Sequence, residues 1–316
     1  MTFEHDLVES GEVLPVAAIA PPKAGRATSL LLWLRALPTL CKLRVVALLL
    51  FAATGGALLG AGGWPGLGRM LVLLVTGGMA ASGASALNQY LEQETDARMT
   101  RTRRRPLVVG VIPQPDRVPY VAGAMILVPS LAVLPFNPAL TFFLLLGAAI
   151  YLGVYTLWLK PRTLLNIVIG GAAGSAAVLS GSAAAGAWNE PGAVALALLV
   201  FLWTPTHFWS LAIVYRHDYA RGGIPMLPLQ TSPRAAAFWV LVHTGATALA
   251  ALMLAGHPAL GWLYLVPVAV ASADLVVRNA RLLRHPNGRE ALSLFKASNF
   301  YLALVLLMIW VDTLLG

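Results

Sequence analysis

The stretch PALTFFLLLGAAIYLGVYTLW, residues 138–158, contains no charged side chain. A membrane-crossing helix needs about 20 predominantly apolar residues, so this run reads as one. Outward from it, nearly uncharged runs of similar length recur at 45–63, 70–91, 118–135, 164–184, 192–213, 235–254, 259–277 and 297–314. The expected fold is all-α: a polytopic membrane protein of nine transmembrane helices. The runs on either side of Asn137-Pro138 lie so close that they predict a helical hairpin with a very short external turn. No strand alternation appears, which excludes a transmembrane barrel. The 58 % hydrophobic content of the 316 residues exceeds the roughly 45–50 % of soluble domains.

The net charge of +9 could suggest a nucleic-acid partner, but its distribution argues otherwise. Of the 22 Lys and Arg, 21 fall in the N-terminal segment or in the connections after the second, fourth, sixth and eighth runs, and only Arg69 lies elsewhere. Basic residues gather in cytoplasmic loops. The N-terminus is therefore expected in the cytoplasm and the C-terminus outside. The single Cys41 excludes a disulfide within the chain.

Residues 1–27 open with Glu4, Asp6, Glu9 and Glu12, unlike a secretory signal or an Arg-rich transit peptide. They are expected to form a disordered cytoplasmic tail, and the acidic start favours a bacterial plasma membrane. Residues 28–44 read as an amphipathic lead-in at the interface, broken by Pro38. Without a further linker, 28–316 is expected to form one domain.

Chemistry concentrates in the basic loops. In NQYLEQETDARMTRTRRRPL, residues 88–107, Asn88, Glu92 and Asp96 are spaced i, i+4, i+8 and share a face if the second run continues as helix. Two carboxylates so placed repel each other unless a cation lies between them. Carboxylates with phosphate oxygens are a usual setting for Mg²⁺, so a metal-bridged diphosphate fits. Arg101, Arg103, Arg104 and Arg105 follow, and guanidinium forks match phosphate oxygens. Topology anchoring and anionic lipids also account for arginines at this position, but not for acids on one face.

A second concentration is THFWSLAIVYRHDYARGGIPMLP, residues 206–228, where His207 lies about two turns before Tyr215 and three before Asp218. Gly222-Gly223 and Pro225 end that helix. A third, YTLWLKPRTLLNIVIGGAAGSA, residues 155–176, brings Lys160 to the same side as a phosphate partner or a snorkelling anchor. Gly170, Gly171 and Gly174 there read as close helix packing.

These three blocks, with KLRVVALLLFAATGG at 42–56, resemble the UbiA superfamily of intramembrane prenyltransferases, most closely its haem-modifying branch. The resemblance covers about residues 39–230, with the last three runs similar only in general character. It implies nine helices around a central cavity that opens to the cytoplasm and laterally to lipid. It also implies transfer of a farnesyl group from farnesyl diphosphate to the vinyl group of haem B (protohaem IX), giving haem O and diphosphate for terminal oxidases, with Mg²⁺ assisting.

Carried onto this chain, the resemblance makes Asn88, Glu92, Asp96 and Asp218 catalytic, with Glu92 and Asp96 as metal ligands. Arg101, Arg105 and Lys160 would bind the diphosphate, and His207 and Tyr215 the haem acceptor. A further partner would be an oxidase-assembly factor or a haem A synthase. Two departures stand out: Glu92 replaces the usual Asp, and Val214 and Gly222 flank Asp218 at four residues where quinone-type members carry a second Asp. The second departure counts against a phenolic acceptor. The developing allylic cation calls for aromatic faces, for which Trp203, Phe208, Trp209, Tyr155 and Trp158 are candidates. Alternatives are an aromatic quinone-precursor prenyltransferase and, in another class, a secondary transporter. A transporter would place its polar groups nearer the bilayer midplane, where His243 is the most evident.

Overall fold

The structure is a computed structural model that describes residues 26–315, so the expected N-terminal tail lies outside the described residues up to position 25. Every regular element among the described residues is helical. Eight helical segments are long and apolar enough to cross a membrane. They are α2 (Leu43–Ala61), α3 (Leu67–Leu91), α6 with its continuation (Pro138–Leu159), α7 with α8 (Asn166–Ala185), α9 (Pro191–Val214), α12 (Pro233–Leu254), α13 (Trp262–Arg284) and α14 (Gly288–Leu315). The chain is a multi-pass membrane protein.

The run expected at 118–135 differs from the other eight. It forms α5, the 15-residue helix Val118–Ala132, with Pro129 inside and turns from 133 to 136 before the next helix. At about 1.5 Å per residue it is some 22 Å long, short of the roughly 30 Å hydrocarbon core. It packs along α3, and the hairpin at Asn137-Pro138 is present. The lead-in also differs from expectation. Pro38 lies inside α1 (Arg26–Leu40), and the break comes at Cys41 and Lys42, where Lys42 adopts a left-handed backbone with φ 51°.

Lipid is as apolar as a leucine side chain, so burial alone cannot drive these helices together; close packing of small residues can. α2 lies against α8 where Gly56 faces Val178 and Gly181 faces Ala53. A Cβ added to Gly181 would stand 1.7 Å from the Ala53 carbonyl oxygen, so the backbones touch. Outward faces carry large apolar side chains such as Leu131, Val270 and Phe300.

Three helices begin with a polar N-cap followed by Pro, which needs no N–H there. Asn137 Oδ1 accepts from Leu140 N, Glu190 from Gly192 N and Ala193 N, and Ser232 Oγ from Ala235 N. At the end of the bundle away from the basic loops, polar contacts tie the helix ends. Arg69 donates to the Ala185 carbonyl, Asn137 to that of Ala183, and Asp312 accepts from Gly261 N and Tyr264 N. The opposite end holds α4 (Gln93–Arg98), α10 (Arg216–Arg221) and α11 (Leu227–Gln230), where the basic loops converge.

Candidate active site

α3 ends at Leu91 because Glu92 leaves the helical conformation, at φ −102° and ψ 11°, and the chain re-enters helix as α4. The break does not scatter the polar face. Glu92 N still donates to Asn88 O at 3.1 Å and Asp96 N to Glu92 O at 2.8 Å, which preserves the i, i+4 alignment. All three side chains are buried: Asn88 is 1 % exposed, Glu92 9 % and Asp96 3 %.

Each carboxylate meets a cation from a different segment. Arg105 Nη1 lies 2.5 Å from Asp96 Oδ2, and Lys160 Nζ lies 2.5 Å from Glu92 Oε1. Asn88 meets a third cation, since Lys42 Nζ donates to Asn88 Oδ1 at 2.6 Å and to the Tyr151 hydroxyl at 2.9 Å. Asn88 Nδ2 donates onward to Thr156 Oγ1 at 3.0 Å. Gln89 holds the Lys42 turn in place by donating to the carbonyls of Thr39 and Leu40. Burial, and next the charge of Arg105, pull the Lys42 ammonium down to about 7.

Lys160, Tyr155, Thr156 and Tyr151 come together because Ile150–Leu159 is a π-helix, a conformation often found at functional sites. Its wider turn brings residues four and five apart onto one side; Lys160 N, for example, donates to Tyr155 O at 2.8 Å. Tyr151 and Tyr155 stack with ring centroids 6.0 Å apart and planes inclined by 10°. Lys42 and Lys160 each sit 5.6 Å from a ring of this pair, within cation–π range. Gly170 makes room for the stack, because a Cβ there would lie 2.6 Å from Tyr155 Cδ2.

Asp218 stands beside the loop that follows α4. Thr100 N donates to its Oδ1 at 3.1 Å, Arg101 N to its Oδ2 at 2.9 Å, and Arg221 forms an ion pair with Oδ1 at 2.5 Å. Burial alone would raise this carboxyl, but the backbone N–H of Arg101 and the bonds from Thr100 and Arg221 prevail and hold it at about 2. Both oxygens are engaged in fixing the arginine loop. Arg101 is exposed, with its guanidinium 5.9 Å from the Tyr215 ring centroid. Arg101, Tyr215 and Asp218 line a surface cleft of about 340 Å³.

His207 joins neither group. Its ring stacks on Trp203 at 4.5 Å, leans on Phe295 at 4.6 Å, and its Nδ1 is 3.1 Å from Ser298 Oγ of α14. Of the other aromatic candidates, Trp158 is exposed on the outer face and Trp209 packs edge-on against His243. The structure thus gathers Asn88, Glu92, Asp96, Arg105 and Lys160, sets Tyr215 and Asp218 from the end of α9 and from α10 against Arg101 of the loop that also carries Arg105, and turns His207 toward α14. Lys42 and Tyr151 join the first group without having been singled out in the sequence.

Among the described residues no three His, Cys, Asp or Glu side chains gather into a metal cage. Two carboxylates and an amide on one face, opposed by three cations, instead suit a hard divalent ion that takes its remaining ligands from phosphate and water.

Residues 48–305 match the UbiA prenyltransferase family. The protoheme IX farnesyltransferase of Metallosphaera sedula is 40 % identical over 270 residues, covering 85 % of this chain and 93 % of that one. Among solved structures, that of a membrane digeranylgeranylglyceryl phosphate synthase is similar at a TM-score of 0.75 with 16 % identity, over 89 % of this chain and 98 % of that one. A UbiA homologue from Archaeoglobus fulgidus, bound to DMAPP and Mg²⁺, is similar at a TM-score of 0.57 with 16 % identity, over 87 % of this chain and 99 % of its own. The family match over most of the chain and the relative similar nearly end to end establish that this protein belongs to the UbiA prenyltransferase family.

Proposed function

We propose that this enzyme transfers a farnesyl group from farnesyl diphosphate to the vinyl group of haem B, with addition of water, giving haem O and diphosphate. The observation that carries the reading is the buried Asn88, Glu92, Asp96 face opposed by Arg105 and Lys160. The Metallosphaera relative, named as a protoheme IX farnesyltransferase, supports the choice of acceptor. Residues 28–316 would form the single catalytic domain. By the distribution of Lys and Arg, the site would face the cytoplasm from a bacterial plasma (cell inner) membrane. The product would pass to oxidase assembly or to a haem A synthase.

The chain's residues would act as follows. Glu92 and Asp96, with Asn88, would hold Mg²⁺, which supplies Lewis-acid stabilisation of the leaving diphosphate. Arg105 and Lys160 would take up the negative charge that develops as the C1–O bond breaks, and Arg101 would guide the diphosphate at the mouth of the site. Tyr151 and Tyr155 would offer ring faces to the positive charge that develops on the prenyl chain once Lys42 and Lys160 turn to the phosphates. The vinyl group's π electrons form the new bond to C1, and water adds to the resulting cation and loses a proton. Asp218 would position the arginine loop, and His207 and Tyr215 would line the approach of the acceptor.

Purified protein incubated with haem B, farnesyl diphosphate and Mg²⁺ should yield a pigment heavier by one farnesyl group and one hydroxyl. A prenylated phenolic acid formed instead, when 4-hydroxybenzoate is supplied, would move the enzyme to the quinone branch.

A further inference from the structure

The three cations around Asn88, Glu92 and Asp96 are not equivalent. Arg105 and Lys160 each have a carboxylate partner, whereas Lys42 forms no ion pair among the described residues and is held only by a neutral amide and a neutral phenol. Taking an ammonium out of water without a counter-charge is costly. The fold nevertheless pins Lys42 in a left-handed turn, fixes that turn through Gln89, and aims Nζ into the site.

From this geometry we infer that Lys42 is a substrate-binding residue, whose missing partner is an oxyanion of the substrate and which hands over its bonds to Asn88 and Tyr151 when that anion arrives. The inference rests on the prenyl-transfer reading above. Charge accounting favours it. With Lys42 charged, three cations and two carboxylates leave one positive charge; a divalent ion brings that to three, and a fully ionised prenyl diphosphate carries about three negative charges. Without Lys42 the buried groups alone, leaving out the exposed Arg101 at the mouth, would not balance the diphosphate. The oxyanion could come from the diphosphate or from a carboxylate of the porphyrin, and the two sources separate experimentally.

The test uses purified full-length protein and Lys42→Met, which keeps the length of the stem and removes the charge, with Lys42→Arg as the conservative variant. Binding of inorganic diphosphate with Mg²⁺ is measured by calorimetry, and binding of haem B and of haem dimethyl ester by absorbance. Lys42→Met should melt no lower than the wild type and bind one anionic probe about ten- to a hundredfold more weakly, as expected for one lost charge-assisted hydrogen bond. Lys42→Arg should recover most of that loss. Weakened diphosphate binding alone assigns Lys42 to phosphate. Weakened haem B binding, falling to the level of the dimethyl ester, assigns it to carboxylate.

A Lys42→Met protein that fails to fold, or melts lower with both affinities unchanged, would make Lys42 a structural anchor and overturn the inference. Wild-type protein that binds neither probe would instead overturn the prenyl-transfer reading itself.

Discussion

Lys160, at the end of the π-helical segment, places its ammonium 2.5 Å from the Glu92 carboxylate, 68 residues earlier in the chain. With Arg105 on Asp96, both carboxylates of the site are paired by its own side chains. A metal meets carboxylates already paired, and a diphosphate meets Arg105 and Lys160 already paired. Together the two ligands can exchange the pairs: carboxylates to the metal, cations to the phosphates. Lys160→Met should therefore leave Glu92 buried and unpaired, destabilising the protein by about 3–5 kcal/mol. Mg²⁺ should restore part of that stability and bind the variant more tightly than the wild type when no diphosphate is present. Equal Mg²⁺ affinities by calorimetry would rule out the exchange.

Asp218 spends its charge on the backbone of the arginine loop. Asp218→Asn should speed amide hydrogen exchange at Thr100 and Arg101 and destabilise the fold by about 1.5–3 kcal/mol, the range for hydrogen bonds to a charged group. The same bonds set an acid limit. The unfolded carboxyl titrates near 3.9, while the folded one is held at about 2. This contribution is complete above the unfolded value and lost as pH falls through the folded one. Protection of the two amides should survive at pH 4 and fade toward pH 2; protection already lost at pH 5 would contradict the clamp.

Gly170 and Gly153 provide a matched pair. A methyl group on Gly170 would strike the Tyr155 ring, with Cδ2 at 2.6 Å and Cγ at 3.1 Å, while one on Gly153 would meet nothing within 4 Å. Gly170→Ala should cost about 1–3 kcal/mol through overpacking and lower kcat by shifting the Tyr151–Tyr155 stack. Gly153→Ala should be close to neutral. Melting curves and the haem farnesylation assay report both effects, and equal behaviour of the two variants would remove the stack from the mechanism.

Eight spans were legible because absence of charge over about 20 residues is a strong signal. The short α5 was not, because Pro129 and the turns from 133 leave the apolar composition of 118–135 unchanged while shortening its helix. The face of Asn88, Glu92 and Asp96 was visible in its spacing, and the sequence also indicated Arg105 and Lys160 as cations for that end. Lys42 escaped notice because a lysine at a membrane boundary usually means topology. Tyr151 escaped because an aromatic residue in an apolar run usually means packing.

The π-helix is invisible to a search at period 3.6, yet it is what brings Tyr151, Tyr155 and Lys160 to one side. Asp218 read from sequence as the acid of a second site. Its hold on Thr100 and Arg101 spans more than a hundred residues and emerges only when the loops meet. His207 turns toward α14 because Phe295 and Ser298, with Trp203 one turn back on its own helix, form a pocket for its ring, and no local pattern reports the two α14 partners.

The most direct measurement is an experimental structure with Mg²⁺ and a farnesyl thiodiphosphate that resists cleavage. The expected result is a diphosphate between Arg105 and Lys160, with Glu92 and Asp96 turned to the metal and both ion pairs opened. A diphosphate bound elsewhere, with Lys160 still on Glu92 and Arg105 still on Asp96, would contradict it.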